Sequence, residues 1–91
     1  MKSLATSRFW RQYKQLPESI RRLADKSFRL WQRNPAHPSL HFKKLKGSRT
    51  LHSVRIGIHY RALGNLEGDT IRWLWIGTHA EYDLLAAGRE G

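Results

Sequence analysis

Hydrophobic positions along this chain keep a helical rhythm up to about residue 34 and an alternating one from about residue 40. Met1 to Thr6 is short and mixed, and predicts a brief strand. Phe9, Trp10 and Tyr13 belong to a first helix. Leu16-Pro17-Glu18 breaks that helix and starts a second, because proline suits a first helical turn and Glu18 complements the dipole there. Ile20, Leu23, Ala24, Ser27, Phe28 and Trp31 recur at helical spacing and predict its buried face. Asn34-Pro35 ends it, and Pro38 predicts an extended continuation.

In the second half Leu51, Ser53 and Arg55 alternate with His52, Val54 and Ile56, as a half-buried strand requires. Gly57 predicts a tight turn or bulge. A second strand follows through Ile58, Tyr60 and Ala62, with His59, Arg61 and Leu63 on its other face. Asn65 to Asp69 reads as a loop and Thr70 to Thr78 as the last strand. Strict alternation there sets Ile71, Trp73 and Trp75 against Arg72, Leu74 and Ile76, so apolar residues fall on both faces and predict a central strand. A short helix near 79–87 completes the pattern. The expected fold class is α+β, with two N-terminal helices packed on a small, mostly antiparallel sheet. Residues 1–91 are expected to form a single domain.

Charge narrows the partners. Seventeen Lys and Arg against seven Asp and Glu give a formal net charge of +10, which favours phosphate-bearing or acidic partners. No apolar run approaches the roughly 20 residues of a spanning helix, and Arg8, Arg11 and Lys14 interrupt any signal-like core. Without cysteine there is neither a disulfide frame nor a thiolate metal site. His37, His41 and His52 show no metal-ligand spacing. A cytoplasmic protein without cofactor, metal or membrane partner is the expectation.

Several ordered segments carry a family resemblance. They are Phe9-Trp10, Leu16-Pro17, Asn34-Pro35, Phe42-Lys43-Lys44-Leu45-Lys46-Gly47, Ser53-Val54-Arg55-Ile56-Gly57 and Tyr60-Arg61-Ala62. The last is Trp75-Ile76-Gly77-Thr78-His79-Ala80-Glu81-Tyr82. Together they resemble toxins of the RelE/ParE superfamily from bacterial type II toxin–antitoxin systems. The resemblance implies a compact β-α-α-β-β-β fold and a neutralising antitoxin as partner. RelE-type members cut messenger RNA, often on the ribosome, whereas ParE-type members poison DNA gyrase. Fold alone does not choose between these activities.

The chemistry rests on particular residues. Cleaving RNA without a metal uses the 2′-hydroxyl as nucleophile, with a base for its proton, an acid for the leaving 5′-oxygen and cations for the phosphate. His79 follows the aromatic strand, and an unperturbed imidazole titrates near pH 6.5, so it is the candidate general acid or base. Local capping of the last helix is the alternative that the residues alone leave open. The resemblance matches His79 to the strand-end histidine of the YafQ-like branch. Tyr82 is the candidate second polar or stacking group, one residue short of that branch's aromatic.

Arg61 is the candidate phosphate clamp and Arg55 its neighbour, since a guanidinium fork grips two phosphate oxygens. Ordinary sheet-surface arginines, paired with Glu67 or Asp69, are the alternative. Lys43, Lys44 and Lys46 lie where RelE-like relatives carry phosphate-binding lysines. Alternation puts Lys44 and Lys46 on one face and Lys43 on the other. His59 shares the predicted face of Arg61. Arg22, Lys26, Arg29 and Arg33 form an exposed stripe suited to RNA or to an acidic antitoxin segment. The expected activity is that of a metal-independent messenger endoribonuclease working with the ribosome. Gyrase inhibition, or binding without chemistry, is the alternative.

Overall fold

The computed structural model describes the backbone of residues 1–90 and side chains through residue 87; the expected domain extends one residue further, to Gly91. Strand β1 (Lys2–Ala5) leads into helices α1 (Ser7–Lys14) and α2 (Glu18–Arg33). Strands β2 (Lys43–Lys44), β3 (Leu51–Ile56), β4 (Tyr60–Glu67) and β5 (Thr70–Thr78) follow, and helix α3 (His79–Glu90) closes the chain. The five strands form one sheet in the order β1-β5-β4-β3-β2, with β1 parallel to β5 and every other pairing antiparallel. This is the α+β architecture that the two rhythms predict.

Thr6 starts α1 as its cap, its hydroxyl accepting the Phe9 N–H at 3.1 Å. Pro17 sits just ahead of α2, where its missing N–H costs nothing. Both helices cover one sheet face. Phe9, Ala24 and Trp31 pack there against Val54, Ile56, Ala62, Ile71, Trp73 and Ile76. Phe28 and Trp31 touch the Trp73 ring at centroid distances of 4.8 and 5.8 Å. The Trp73 indole N–H donates to Ser3 Oγ at 2.8 Å, which ties β1 to β5.

One irregularity overturns the strict alternation expected of β5. Leu63 pairs with Trp75, but Gly64 pairs with Trp73, so Leu74 is an extra residue in a β-bulge. The bulge turns Trp75 to the opposite face from Trp73, where it clusters with Leu45 and Leu63. A Cβ on Gly64 would lie 2.8 Å from both Ile71 Cγ1 and Trp73 Cε3. The kink therefore occurs where a glycine lets the Trp73 ring close onto the neighbouring strand.

Other boundaries move for local reasons. Pro38–Leu40 forms a 3₁₀ turn rather than an extended stretch, because His37 Nδ1 accepts the Ser39 N–H and caps it. Ile58 lies in the turn ahead of β4, not in the strand, and is exposed. Strand β4 continues through Asn65 to Glu67, and only Gly68 and Asp69 form the turn. Gly68, at φ +59°, supplies the first position of that two-residue turn. Leu23, predicted as buried, remains 40% exposed beside the β3–β4 turn. Helix α3 runs past the predicted residue 87. Among the described residues, no helix is long and apolar enough to cross a membrane.

Candidate functional site

The sheet face opposite α1 and α2 is only partly covered, and its cross-strand rows place the candidate side chains. Lys43, Ser53, Leu63 and Trp75 make one row by successive pairing; Arg55, Arg61 and Gly77 make the next. Tyr82 of α3 lies over this face. Its ring centre is 5.2 Å from the Arg61 guanidinium carbon, and its hydroxyl donates to Ser53 Oγ at 3.4 Å. Gly77 lies within β5, one residue before its end. A Cβ there would lie 2.5 Å from Trp75 Cζ2, so glycine lets the indole rest against the strand end.

Helix α3 begins immediately after Thr78. The Thr78 hydroxyl accepts the Glu81 N–H at 3.2 Å, while Glu81 Oε1 accepts the Thr78 N–H at 3.1 Å and its hydroxyl at 2.9 Å. This is a capping box, readable as Thr-x-x-Glu in the sequence. The bonds from the Thr78 backbone and hydroxyl hold the Glu81 carboxyl below its ordinary pKa, against a smaller opposing effect of burial. Capping thus falls to Thr78 and Glu81. His79 is the first helical residue, and its N–H donates to the His59 carbonyl at 2.7 Å.

The His79 imidazole is held by Asp83 one helical turn later, with Nδ1 3.1 Å from Oδ2. Its ring lies 6.2 Å from that of Tyr82. A neutral histidine whose Nδ1–H donates to a carboxylate presents a bare Nε2, the tautomer suited to proton transfer. Arg61 is half-buried, and its Nε and Nη1 meet no acceptor. Neither Glu67 nor Asp69 forms an ion pair with it among the described residues. Both nitrogens are shut off from solvent, so Arg61 offers an anion charge at this face, and a phosphate oxygen reaches these donors only if the packing over them opens.

His79, Tyr82 and Arg61 are thus brought together, and Lys43 shares their face through its pairing with Ser53. Other candidates lie elsewhere. Arg55 is paired with Arg61 in the backbone, yet its Nε donates to the Gly57 carbonyl at 2.9 Å and its Nη1 lies 3.3 Å from His41 Nε2. Lys44 sits opposite His52 and points with it to the helix-covered side, where His52 stacks on Phe42. Lys46 is exposed in the turn beyond β2. His59 is exposed in the β3–β4 turn instead of sharing a strand face with Arg61, and contributes its carbonyl to His79. Ser53 and Asp83 are additions. Asp83 is legible as an i,i+4 partner of His79, whereas Ser53 gains its role only when α3 folds over β3.

With this geometry in view, comparison with known proteins decides the family. The model of the ParE-like toxin domain matches residues 18–83. The chain belongs to this family, within the RelE/ParE toxin superfamily. A chain of the RelB–RelE antitoxin–toxin complex from Methanococcus jannaschii is 25% identical, with a TM-score of 0.72 over 89% of this chain and 96% of that one. The YoeB/ParE toxin from Agrobacterium tumefaciens is 20% identical, with a TM-score of 0.71 over 87% and 99%. YafQ from Escherichia coli is 14% identical, with a TM-score of 0.72 over 89% and 96%. No curated protein sequence matches this ParE-like chain.

Proposed function

We propose that this ParE-like protein is the toxin of a toxin–antitoxin pair and inhibits translation as a metal-independent messenger endoribonuclease. The observation that carries the reading is that the Asp83-oriented His79 and the Arg61 guanidinium are both set near the Tyr82 ring. In the reaction the RNA 2′-oxygen attacks the adjacent phosphorus, the bond to the 5′-oxygen breaks, and a cyclic phosphate forms. His79 Nε2 carries one proton transfer, as base toward the 2′-hydroxyl or as acid toward the leaving 5′-oxygen, and solvent water carries the other. Arg61 stabilises the added charge on the phosphoryl oxygens, and Lys43 steers the strand along the same face. Tyr82 holds Arg61 in place and offers a flat surface to a base. The bound antitoxin of the Methanococcus jannaschii complex supports a neutralising antitoxin as partner, and the ribosome is the setting in which the messenger is presented.

The match to a ParE-like model supports a second reading, in which the protein blocks DNA gyrase without chemistry. Induced expression of wild type, His79→Ala and Arg61→Ala, with RNA 5′-end mapping, separates the two. The nuclease reading expects messenger cuts in the wild type, and losses of about 10²–10⁴-fold in cleavage for His79→Ala and about 10²–10³-fold for Arg61→Ala. Intact RNA with double-strand DNA breaks, and undiminished toxicity of both variants, would replace it with gyrase inhibition. Cleavage that vanishes when ribosomes are absent from a purified system establishes the ribosomal requirement.

A further inference from the structure

The open sheet face extends beyond Trp75, toward the β4–β5 turn. Leu66 and Ile71 pack into the helix-covered core, so strand alternation turns their neighbours Asn65, Glu67, Thr70 and Arg72 to the side that Arg61 and Lys43 occupy. Asn65 pairs with Arg72 and Glu67 with Thr70, and the four side chains line a cavity of ≈ 330 Å³. All four are polar. Thr50 Oγ1 donates to Asn65 Oδ1 at 3.1 Å, which fixes the amide and leaves its NH2 group to donate. Thr70 Oγ1 donates to Asp69 Oδ1 at 3.0 Å. Glu67 and Arg72 are exposed on the diagonal of this patch, and neither forms an ion pair among the described residues. The cavity thus offers one carboxylate as acceptor, and an amide and a guanidinium as donors.

On the nuclease reading given above, we propose that this cavity is a base-reading subsite that selects guanine in the RNA strand crossing the face. Guanine alone among the RNA bases carries adjacent N–H donors, at N1 and N2, followed along its edge by two acceptors, O6 and N7. The Glu67 carboxylate takes the two donors, one on each oxygen, while Arg72 and the Asn65 amide donate to O6 and N7. Cytosine, uracil and adenine each bring the carboxylate a single donor group, at N4, N3 or N6, and leave one of its oxygens unmatched. Glu67 would also repel a phosphate, so the cavity suits a base edge rather than the backbone. Asn65 lies four residues beyond Arg61 on β4, about 13 Å along the strand. A stacked RNA strand, rising about 3.4 Å per nucleotide, fits about four nucleotides in that distance, and an unstacked one fewer. The guanine therefore lies at a fixed separation from the cut bond and not at the bond itself.

The test titrates the full-length protein with labelled uridine RNAs about seven nucleotides long, within the usual site size of a single-strand surface. They carry 2′-O-methyl groups, which block cleavage, and one central guanosine, inosine, adenosine or cytidine. Fluorescence polarisation should show the guanosine RNA binding about tenfold tighter than the all-uridine RNA. Glu67→Gln and Arg72→Gln should each bring that ratio to about twofold or less, while Glu67→Gln leaves the affinity for all-uridine RNA undiminished. Inosine lacks the N2 amino group, so it should bind more weakly than guanosine to the wild type and equally to Glu67→Gln. Both residues are exposed, and matched thermal melts confirm that the variants fold. No binding of any RNA, equal affinity for all bases, or a guanine preference that survives both substitutions would overturn the subsite. Cuts mapped in unblocked RNAs separate it from the nuclease reading. Cuts without base preference leave that reading standing and remove the subsite; a Glu67- and Arg72-dependent guanine preference with no cut sustains the subsite and removes the nuclease.

Discussion

At the scale of single residues, His79 gains its chemical meaning from Asp83. The two side chains are about half exposed, at 45% and 60%, so the bond between them orients the ring and adds little to stability. Asp83→Asn should therefore leave the melting temperature nearly unchanged while lowering RNA cleavage about tenfold, well short of the loss for His79→Ala. Nitrogen-15 chemical shifts of the His79 ring check the cause directly: the wild type should show Nδ1–H, and the variant a mixture of tautomers. Unchanged shifts would remove the orienting role even if cleavage fell. Gly77→Ala tests packing, since its methyl group would sit 2.5 Å from Trp75 Cζ2. It should destabilise the fold by about 1–3 kcal/mol in denaturant titrations, as overpacking does. His79 and Asp83 are legible together as an i,i+4 pair. Ser53 is not, because a serine on an alternating strand carries no sign of the tyrosine that folds over it.

At the scale of elements, the junction of β5 with α3 aims the site. Thr78 and Glu81 start the helix at a defined point, and the His59 carbonyl fixes the His79 amide against the neighbouring turn. Thr78→Ala should cost about 1 kcal/mol, the usual value of a lost N-cap, and should weaken cleavage by loosening α3. The check is whether cleavage and α3 amide-exchange protection fall together. Glu81 adds a pH dependence of known sign. Folding lowers its pKa through the bonds from Thr78, so the unfolded chain binds its proton more readily. Its stabilisation is present above the ordinary carboxylate range and is lost as pH falls through the lowered folded value. The stability gap between wild type and Glu81→Gln should accordingly be widest at neutral pH and close in acid. The helical and alternating periods reveal most elements, yet the bulge at Leu74 escapes them, since the extra residue looks like one more apolar strand position.

At the scale of the whole molecule, the net charge of +10 acts through placement. Lys43 and Arg61 share the open sheet face, whereas Lys26 and Arg55 line the groove between α2 and the β3–β4 turn. Salt should weaken RNA binding through the first pair. For a single-stranded RNA, replacing Lys43 by Gln should reduce the slope of log affinity against log salt by about 0.7. Replacing Lys26 should leave that slope alone, a contrast that filter binding across a salt series reads. The sequence by itself determined the helix pair, most of the strands, the basic character and the pair of residues at the start of α3, because period, capping and i,i+4 spacing are local properties. Tertiary structure alone decided that Trp73 and Trp75 face opposite sides, that Arg61 rests on Tyr82 while Arg55 turns away, and that Leu23 and Ile58 flank a common groove. Those facts depend on register, a bulge and the approach of distant elements, and no short stretch of sequence contains them.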